Sequence, residues 1–381
     1  MEIQNFKHHI LKAFVLFFSC MLFYSNANGQ ANIDWYKFRD KKTNLLGYKN
    51  AQGQVKIQAK FGGLTDALVF RNIIAVDDEK TEKSYYLLKN GDKIGLDSLY
   101  IWDNSFDHEN ENKIRFRDKK TDKVGFFNTD GKIIIPALYN DAQPFHNGLA
   151  LVIHDAKRKC SNGSPYNEDA PCENWYWDGV SALIDSNNRV VANNININQT
   201  ENIDWFSARI TNSIPDTTLY TSFETPSGEF YSFLNYKKEF KTWFYKNYLR
   251  SLNYQILAAK CYKELTVEGH FKNKVRLYYS KAFFLDQYRI LLLEKMKDIK
   301  ANTVKTIIFG EDINQYIYKG KKFPAFYTVD GEPDKQKHPL FNVVSTYYKK
   351  NKQLDHQDQF FFIRTNGGYE LIGIALGIGE L

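Results

Sequence analysis

The chain has 381 residues, of which 43% are hydrophobic and 16% aromatic, a composition that suits a globular, β-rich, exported protein. Its formal net charge of +7 arises in residues 215–381, which carry 25 Lys and Arg against 18 Asp and Glu. Because these cations form no cluster on a recognisable module, nucleic-acid binding is excluded, while a contact with anionic envelope lipid or polysaccharide and a solvated basic face both stay open.

The N-terminal 29 residues have the layout of a secretory signal. A basic start with Lys7 and Lys12 precedes an apolar run over residues 13–24, and small residues including Ala27 and Gly29 follow. The run is too short for a membrane span, so we predict cleavage after Gly29, with an uncleaved anchor as the alternative. Removal of these 29 residues leaves 352, which predicts two domains and no transmembrane span in a periplasmic or secreted protein.

Residues 116–155 contain one complete copy of a repeated unit. Two runs rich in β-branched and aromatic residues, 124–127 and 132–135, flank Asp130-Gly131. Asp-Gly between such runs is a strong hairpin signal, because both residues tolerate the positive φ of tight turns. Pro136 then ends strand pairing, since it lacks a backbone donor. The unit therefore predicts a hairpin, followed by a further strand at residues 148–152.

Copies of this unit recur along the first half of the chain. The hexapeptide FRDKKT stands at residues 38–43 and again 78 positions later at 116–121. An intermediate copy of the unit lies between them, about 39 positions before the later one. A fourth copy begins at residue 182, with Asn, the usual second choice for a left-handed conformation, in place of the turn Gly. A spacing near 39 is typical of solenoids, propellers and hairpin arrays. The predicted turn positions are Gly53, Gly91, Gly131 and Asn188.

The pattern over residues 124–152 has a turn Gly followed by Lys-Ile-x-Ile-Pro, then a Tyr, a Phe and Gly-Leu-Ala. It resembles the WG repeat, a bacterial β-hairpin repeat, although Val124 and Leu46 stand where the Trp that gives the repeat its name is expected. The resemblance implies an N-terminal all-β array of about four WG-like hairpins over residues 30–214. It also implies an interaction scaffold with no reaction of its own.

A loop over residues 157–173, rich in Ser, Asn, Gly and Pro, separates the third and fourth copies. Cys160 and Cys172 bracket the loop, and in an exported chain we expect them to form a disulfide. The nearby acidic residues and His offer no metal-ligand motif, so no metal is predicted. Cys261 is then left unpaired, and we expect it to be buried on a helix as a small apolar residue.

Three adjacent aromatic residues, Trp175, Tyr176 and Trp177, follow this loop. Beside a constrained loop they can stack on a sugar or anchor a protein partner, and they are the candidate binding residues. The alternative is that Trp175 and Trp177 face inward and fill the core of the fourth copy, while Tyr176 faces outward.

Residues 215–381 are predicted to form an α+β domain with two helices against an antiparallel sheet. Apolar residues at helical spacing predict a first helix over 239–262, and a second is expected over 279–297 with Phe283, Phe284, Leu291 and Leu292 inside. The predicted strands are 304–309, 325–329, 341–348, 359–365 and 369–376. This order of elements resembles the cystatin or nuclear-transport-factor type of fold, which implies a cone-shaped pocket.

The sequence contains no Gly-rich phosphate loop, paired-His zinc motif or nucleophile elbow, so no cofactor is predicted. His356 and Asp358 can form a proton relay, but we interpret them as solvent-facing turn residues. The favoured function is an exported, non-enzymatic binding or scaffold protein that contacts a protein or an envelope glycan. The alternative is a hydrolase or a small-ligand-binding protein with its site in the C-terminal domain, where the first residues to inspect are Glu239, Glu264, Glu268 and His270.

Overall fold

The computed structural model describes residues 34–269, 276–319, 321–328 and 331–378. The predicted signal sequence therefore lies outside the described residues. The first half of the chain consists mainly of short antiparallel strands, which are β1 (Trp35–Arg39), β2 (Leu46–Asn50), β3 (Val55–Phe61), β4 (Val69–Phe70), β5 (Ile73–Asp78), β6 (Lys83–Leu88), β7 (Lys93–Ile94), β8 (Ile101–Trp102), β9 (Ser105–Phe106), β10 (Lys113–Asp118), β11 (Lys123–Asn128), β12 (Ile133–Tyr139), β13 (Asp141–Ala142), β14 (Leu149–Cys160), β15 (Trp175–Asp185) and β16 (Val190–Ala192).

Four hairpin units correspond to the four copies found in the sequence. Unit 1 contains β1–β3, unit 2 contains β5–β7, unit 3 contains β10–β12 and unit 4 contains β14–β16, and in each unit the strands pair in chain order. Units 1 and 2 share one seven-stranded sheet, in which Phe61 of β3 pairs with Asp78 of β5. Units 3 and 4 form separate sheets, the second extended by β13.

The four predicted turn positions adopt the left-handed conformation that the sequence requires. The φ angles are +82° at Gly53, +98° at Gly91, +75° at Gly131 and +63° at Asn188. In unit 3 the amide of Gly131 donates to the Asn128 carbonyl at 3.0 Å, and Asn128 donates to the Lys132 carbonyl at 2.9 Å. The same two hydrogen bonds close the turns of the other three units. The repeat thus encodes one recurring local structure.

The inner units bury both faces of their strands, because each unit packs against the one before and the one after. In β5, for example, Ile74 and Val76 face unit 1, while Ile73 and Ala75 face unit 3. Alternate residues of unit 3 likewise face units 2 and 4. Successive side chains of a strand point to opposite faces, so one strand can serve two cores. The units therefore stack in sequence order, and each depends on its neighbours, as in other repeat proteins.

A fifth hairpin continues the stack beyond residue 214. It contains β17 (Arg209–Thr211), β18 (Tyr220–Glu224) and β19 (Phe230–Leu234), and its turn has Gly228 at φ +83° with the hydrogen bonds of the other turns. β17 pairs with β19, so the strand order is β17-β19-β18, which differs from units 1–4. Its buried Phe side chains pack with Leu residues of unit 4. The domain boundary at residue 214 stays a prediction, but this hydrophobic cluster spans it.

The rest of the chain combines helices with a six-stranded sheet. The elements are α1 (Tyr236–Thr242), continued by a π-helical turn (Trp243–Tyr248), α2 (Tyr254–Ala259), β20 (Cys261–Gly269), β21 (Leu277–Ser280), α3 (Lys281–Lys300), β22 (Lys305–Glu311), a 3-10 turn (Phe323–Phe326), β23 (Leu340–Tyr348), β24 (Leu354–Thr365) and β25 (Gly368–Ile378). The strand order is β21-β20-β25-β24-β23-β22. Because β20 pairs with β25 in parallel, the sheet is mixed, and the expected antiparallel sheet is wrong in this respect.

Several helical expectations need correction. The helix predicted over 239–262 is divided, since Asn253 begins α2 by accepting a hydrogen bond from the Ile256 amide. Cys261 is buried as expected, but it begins β20 and does not lie on a helix. Phe283 is 55% exposed on α3 and does not face the core. The strand predicted at 325–329 is replaced in part by a 3-10 turn with Pro324 at its start, where the ring's fixed φ suits a helical turn.

The space between the helices and the sheet is filled with aromatic side chains. Phe240, Phe244 and Phe284 are completely buried there, together with Phe341 and Phe362 of the sheet. The fully apolar cavity that would favour ligand binding under the helices is thus occupied by side chains of the described residues. The cavities of the C-terminal part lie at the surface, outside this aromatic core.

Candidate functional site

Unit 4 carries a hairpin extension that the other units lack. β14 has 12 residues and β15 has 11, whereas the corresponding strands of unit 3, β10 and β11, have six each. Strand pairing shifts after His154, resumes at Lys157 opposite Asp178 and continues to Cys160 opposite Trp175. We call residues 157–178 the hairpin extension. The disulfide between Cys160 and Cys172 closes the loop at its end.

One face of the hairpin extension carries an arginine packed among aromatic rings. The guanidinium carbon of Arg158 lies 4.8 Å from the ring centre of Trp175, 5.2 Å from that of Trp177 and 5.4 Å from that of Tyr166. The two indole rings meet edge to face, with their centres 5.4 Å apart. We call Arg158, Tyr166, Trp175 and Trp177 the Arg158 cluster. Its contacts are cation–π and aromatic contacts, which favour fixed ring positions.

None of the aromatic residues of the extension is fully buried, since Tyr166 and Trp177 are half-buried and the other two are exposed. Trp175 is 40% exposed and Tyr176 is 45% exposed. The expectation that Trp175 and Trp177 fill the core of the fourth copy is therefore wrong. The reason is their position beyond the register shift, since the buried core residues of β15 are Ala182, Leu183 and Ile184.

Ion pairs connect the Arg158 cluster to unit 3. The Nη2 atom of Arg158 lies 2.6 Å from Asp122 Oδ2, and the other oxygen of Asp122 lies 3.1 Å from Arg117 Nη1. Asp122 occupies the left-handed position that follows the repeated hexapeptide, with φ +54°. Arg158 also lies 3.4 Å from Glu168 in the loop. These pairs fix the extension against the neighbouring unit.

Sequence reasoning missed Arg158, although a signal was present. Arg158 precedes Cys160 by two residues, and Trp177 follows Trp175 by two. A hairpin closed near the disulfide brings such positions opposite each other, and the register has Arg158 opposite Trp177. The predicted turn residues Gly53, Gly91, Gly131 and Asn188 do not belong to the Arg158 cluster, because each lies in the turn of its own unit.

The carboxylates suggested for a hydrolase are distributed among separate surroundings. Glu239 lines a cleft of about 630 Å³, and Glu264 lines a second cavity of about 520 Å³ with four lysines. Glu268 forms an ion pair with Arg276, and His270 lies outside the described residues. Glu239 is the single carboxylate among the residues that line the larger cleft. The paired carboxylates of a glycosidase are thus not brought together in that cleft.

The larger cleft has an ordered charged centre. Glu239 Oε2 accepts a hydrogen bond from the Tyr369 hydroxyl at 2.6 Å and another from Arg364 Nε at 3.2 Å. Burial, followed by the charge of Glu239, raises the pKa of Tyr369, so this hydroxyl stays protonated and donates. The Arg364 guanidinium carbon also lies 4.9 Å from the ring centre of Tyr236. Arg364 and Tyr369 flank the turn between β24 and β25, but nothing in the sequence connected them with Glu239.

His356 and Asp358 do not lie in a turn. Both belong to β24, and Asp358 is only 1% exposed, so the interpretation as solvent-facing turn residues is wrong. Lys295 Nζ of α3 lies 2.8 Å from Asp358 Oδ2, whereas His356 Nε2 is 3.9 Å away. The His356 ring stacks on Tyr347 with a centre distance of 4.4 Å. The ion pair between Lys295 and the buried Asp358 holds α3 against the sheet.

Residues 125–157, which extend from β11 of unit 3 into the hairpin extension, match the protein family described as WG containing repeat. The chain contains a WG repeat. This WG repeat holds Gly125, where an added Cβ would come within 2.5 Å of the Ile135 carbonyl oxygen, and Gly47 of unit 1 has an equivalent close contact at 2.6 Å from the Ile57 oxygen. No curated protein and no solved structure matches the chain.

Among the described residues, no group of three or more His, Cys, Asp or Glu side chains is arranged to hold a metal ion. No helix within the described ranges is both long enough and apolar enough to cross a membrane.

Proposed function

We propose that the protein is an exported, non-enzymatic binding protein in which stacked WG-like hairpins present the Arg158 cluster to a protein partner in the cell envelope or outside the cell. The observation that supports this proposal best is the exposure of Trp175 and Tyr176 beside Arg158, on a hairpin closed by a disulfide.

The composition of the surface favours a protein partner. Trp, Tyr and Arg are the residue types most enriched among the few interface residues that carry most of the binding energy. The Arg158 cluster and the adjacent Tyr176 supply all three within one hairpin. An envelope glycan is the other candidate partner, since sugars also stack on aromatic rings, but Arg158 already covers faces of three rings of the cluster.

Preorganisation supports the same function. The disulfide closes the end of the extension, and the ion pair with Asp122 anchors its base to unit 3. Holding these side chains in place before contact lowers the entropy lost on binding. The same argument explains why a stack of hairpins is a suitable support: its units fix one another through shared cores.

The test compares tryptophan variants of the Arg158 cluster with a tryptophan variant elsewhere on the surface. Purified protein is immobilised and incubated with an envelope fraction, and capture is quantified for the original chain, Trp175→Ala, Trp177→Ala and Trp102→Ala. Trp102 is 67% exposed in β8 and serves as the matched control. We expect the Trp175 and Trp177 variants to lose at least about tenfold in affinity, in the range of interface hot spots, and Trp102→Ala to retain it.

The result also separates the partner classes. Capture that survives protease treatment of the fraction and is removed by competing polysaccharide would indicate a glycan. Equal capture by all four proteins would overturn the assignment to the Arg158 cluster. A catalytic function would be supported if the protein turned over a peptide or glycan and a Glu239→Gln variant abolished the turnover.

A second candidate function is small-ligand binding in the C-terminal part of the chain. It is favoured by the cleft beside Glu239, whose volume lies in the range of small-molecule sites.

A further inference from the structure

The cleft beside Glu239 is built by parts of the chain that are far apart in sequence. Its lining residues come from the loop before β18, from α1 and its π-helical continuation, from the loop before β23, and from the β24–β25 hairpin. The side chains that line it are mostly polar or aromatic, and those used below include Glu239, Thr242, Asn247, Arg364, Asn366 and Tyr369. This mixture suits a polar ligand with one flat or apolar face.

Arg364 presents unused donors to this cleft. Its Nε atom is engaged with Glu239, whereas its Nη1 and Nη2 atoms make no hydrogen bond or ion pair with the described residues. The side chain is 31% exposed and lines the cleft. The cation–π contact with Tyr236 and the hydrogen bond to Glu239 hold the guanidinium in position. A fixed planar fork of N–H donors is the arrangement that binds a carboxylate through two parallel hydrogen bonds.

The other charged side chains that line the cleft already have partners. Glu239 accepts hydrogen bonds from Arg364 and Tyr369, and Lys337 Nζ, whose side chain is 77% exposed, lies 3.5 Å from Asp334 Oδ2. The remaining N–H donors of Arg364 are therefore the part of the cleft that fits a ligand carboxylate.

We propose that this cleft binds a small carboxylate-bearing ligand, with its carboxylate on the Arg364 fork and its hydroxyl or amide groups on Thr242, Asn247 and Asn366. A sugar acid and the free C-terminus of a peptide share this chemistry. The proposal rests on the second candidate function, small-ligand binding in this cleft, and is independent of the function proposed for the Arg158 cluster. Binding involves no covalent step.

Calorimetric titration of the purified protein tests the proposal. The probes are glucuronate and glucose, which differ in one carboxylate, and one short peptide as its free acid and as its C-terminal amide. We expect at least one acid to bind at least about tenfold more tightly than its neutral counterpart, since charge-assisted hydrogen bonds have that strength. Preference for glucuronate would identify a sugar acid, and preference for the peptide acid would identify a chain terminus.

Two variants make the result specific for the site. Arg364→Lys keeps the charge but loses the fork, so the affinity for the acid should fall by about tenfold or more. Lys337→Ala removes an exposed cation without disturbing the core, and it should weaken binding several-fold and reduce the dependence on salt. Thermal unfolding of both variants checks that they are folded.

The proposal is overturned by any of three results. These are the binding of neither acid at millimolar concentration, equal binding of each acid and its neutral counterpart, and unchanged acid binding by a folded Arg364→Lys variant. None of these results bears on capture through Trp175, so the two proposals can fail separately.

Discussion

The hydroxyl of Tyr139 in unit 3 donates a hydrogen bond of 2.6 Å to the side-chain oxygen of Asn188 in the turn of unit 4. The fourth copy has Asn where the others have Gly, and this contact gives the substitution a physical reason. A Gly at this position would ease the left-handed backbone but would leave the buried Tyr139 hydroxyl without its acceptor. The turn residue thus also joins two units.

We predict a measurable coupling between these two residues. Tyr139→Phe and Asn188→Gly should each lower the free energy of unfolding by about 1 kcal/mol, and the double variant should lose less than their sum, with a coupling of about 0.5–1.5 kcal/mol. Urea denaturation of the four proteins measures the cycle. Strictly additive effects would contradict the hydrogen bond.

A second prediction concerns the glycine of the WG repeat. In Gly125→Ala the new Cβ would meet the Ile135 carbonyl oxygen at 2.5 Å and the Ala137 nitrogen at 2.8 Å, and backbone atoms cannot move aside easily. We expect a loss of about 1–3 kcal/mol, as for other overpacked sites, measured by urea denaturation. Gly63→Ala is the control, because nothing lies within 4 Å of an added Cβ there. Similar effects at both positions would refute the steric argument.

The buried pair of Lys295 and Asp358 gives a third prediction. Lys295→Met should cost about 3–5 kcal/mol of unfolding free energy, because Asp358 is 1% exposed and would be left as an unpaired buried charge. Lys335→Met breaks the ion pair between Lys335 and Asp312, whose side chains are 61% and 51% exposed. This change should lower the free energy of unfolding by less than about 1 kcal/mol. Chemical denaturation compares them, and equal losses would count against a buried charge at Asp358.

The lowered pKa of His146 predicts how the free energy of unfolding depends on pH. Burial lowers the pKa of His146 in the folded protein, with Arg115 and Lys335 acting in the same direction and Glu111 opposing them. The unfolded chain, with its His pKa near 6.5, therefore binds more protons as the pH falls, so stability decreases below about pH 6.5. His146→Gln should show a smaller decrease between pH 7.5 and 5.5 in denaturation experiments. An unchanged pH profile would exclude His146 as the source.

The disulfide should stabilise the hairpin extension locally. A Cys160→Ser/Cys172→Ser variant releases a cross-link between residues 12 positions apart, which a chain-entropy estimate values at about 3 kcal/mol. We expect faster hydrogen exchange at the Ser161 amide, which donates to the Asn174 carbonyl at 3.0 Å, with exchange in unit 2 unchanged. Cys261→Ala keeps the disulfide and should leave Ser161 protected. Unaltered exchange at Ser161 in the double variant would contradict this prediction.

Local features of the chain were predictable where a few neighbouring residues fix the backbone. The turns at Gly53, Gly91, Gly131 and Asn188 followed from glycine or asparagine between β-forming runs, and the structure has all four. The fifth turn, at Gly228, has the same hydrogen bonds as the other four. Its strands lack the repeat's other residues, so the local signal did not reveal that they belong to the stack.

The sequence by itself determined that this protein is a series of hairpins followed by a helical and β-stranded part, because turn chemistry and residue alternation act over a few positions. The tertiary structure decided that β20 pairs in parallel with β25, that Trp175 and Trp177 surround Arg158, and that Glu239 meets Arg364. Glu239 and Arg364 are 125 positions apart. Contacts over such separations depend on how whole elements pack, and no local pattern of residues encodes them.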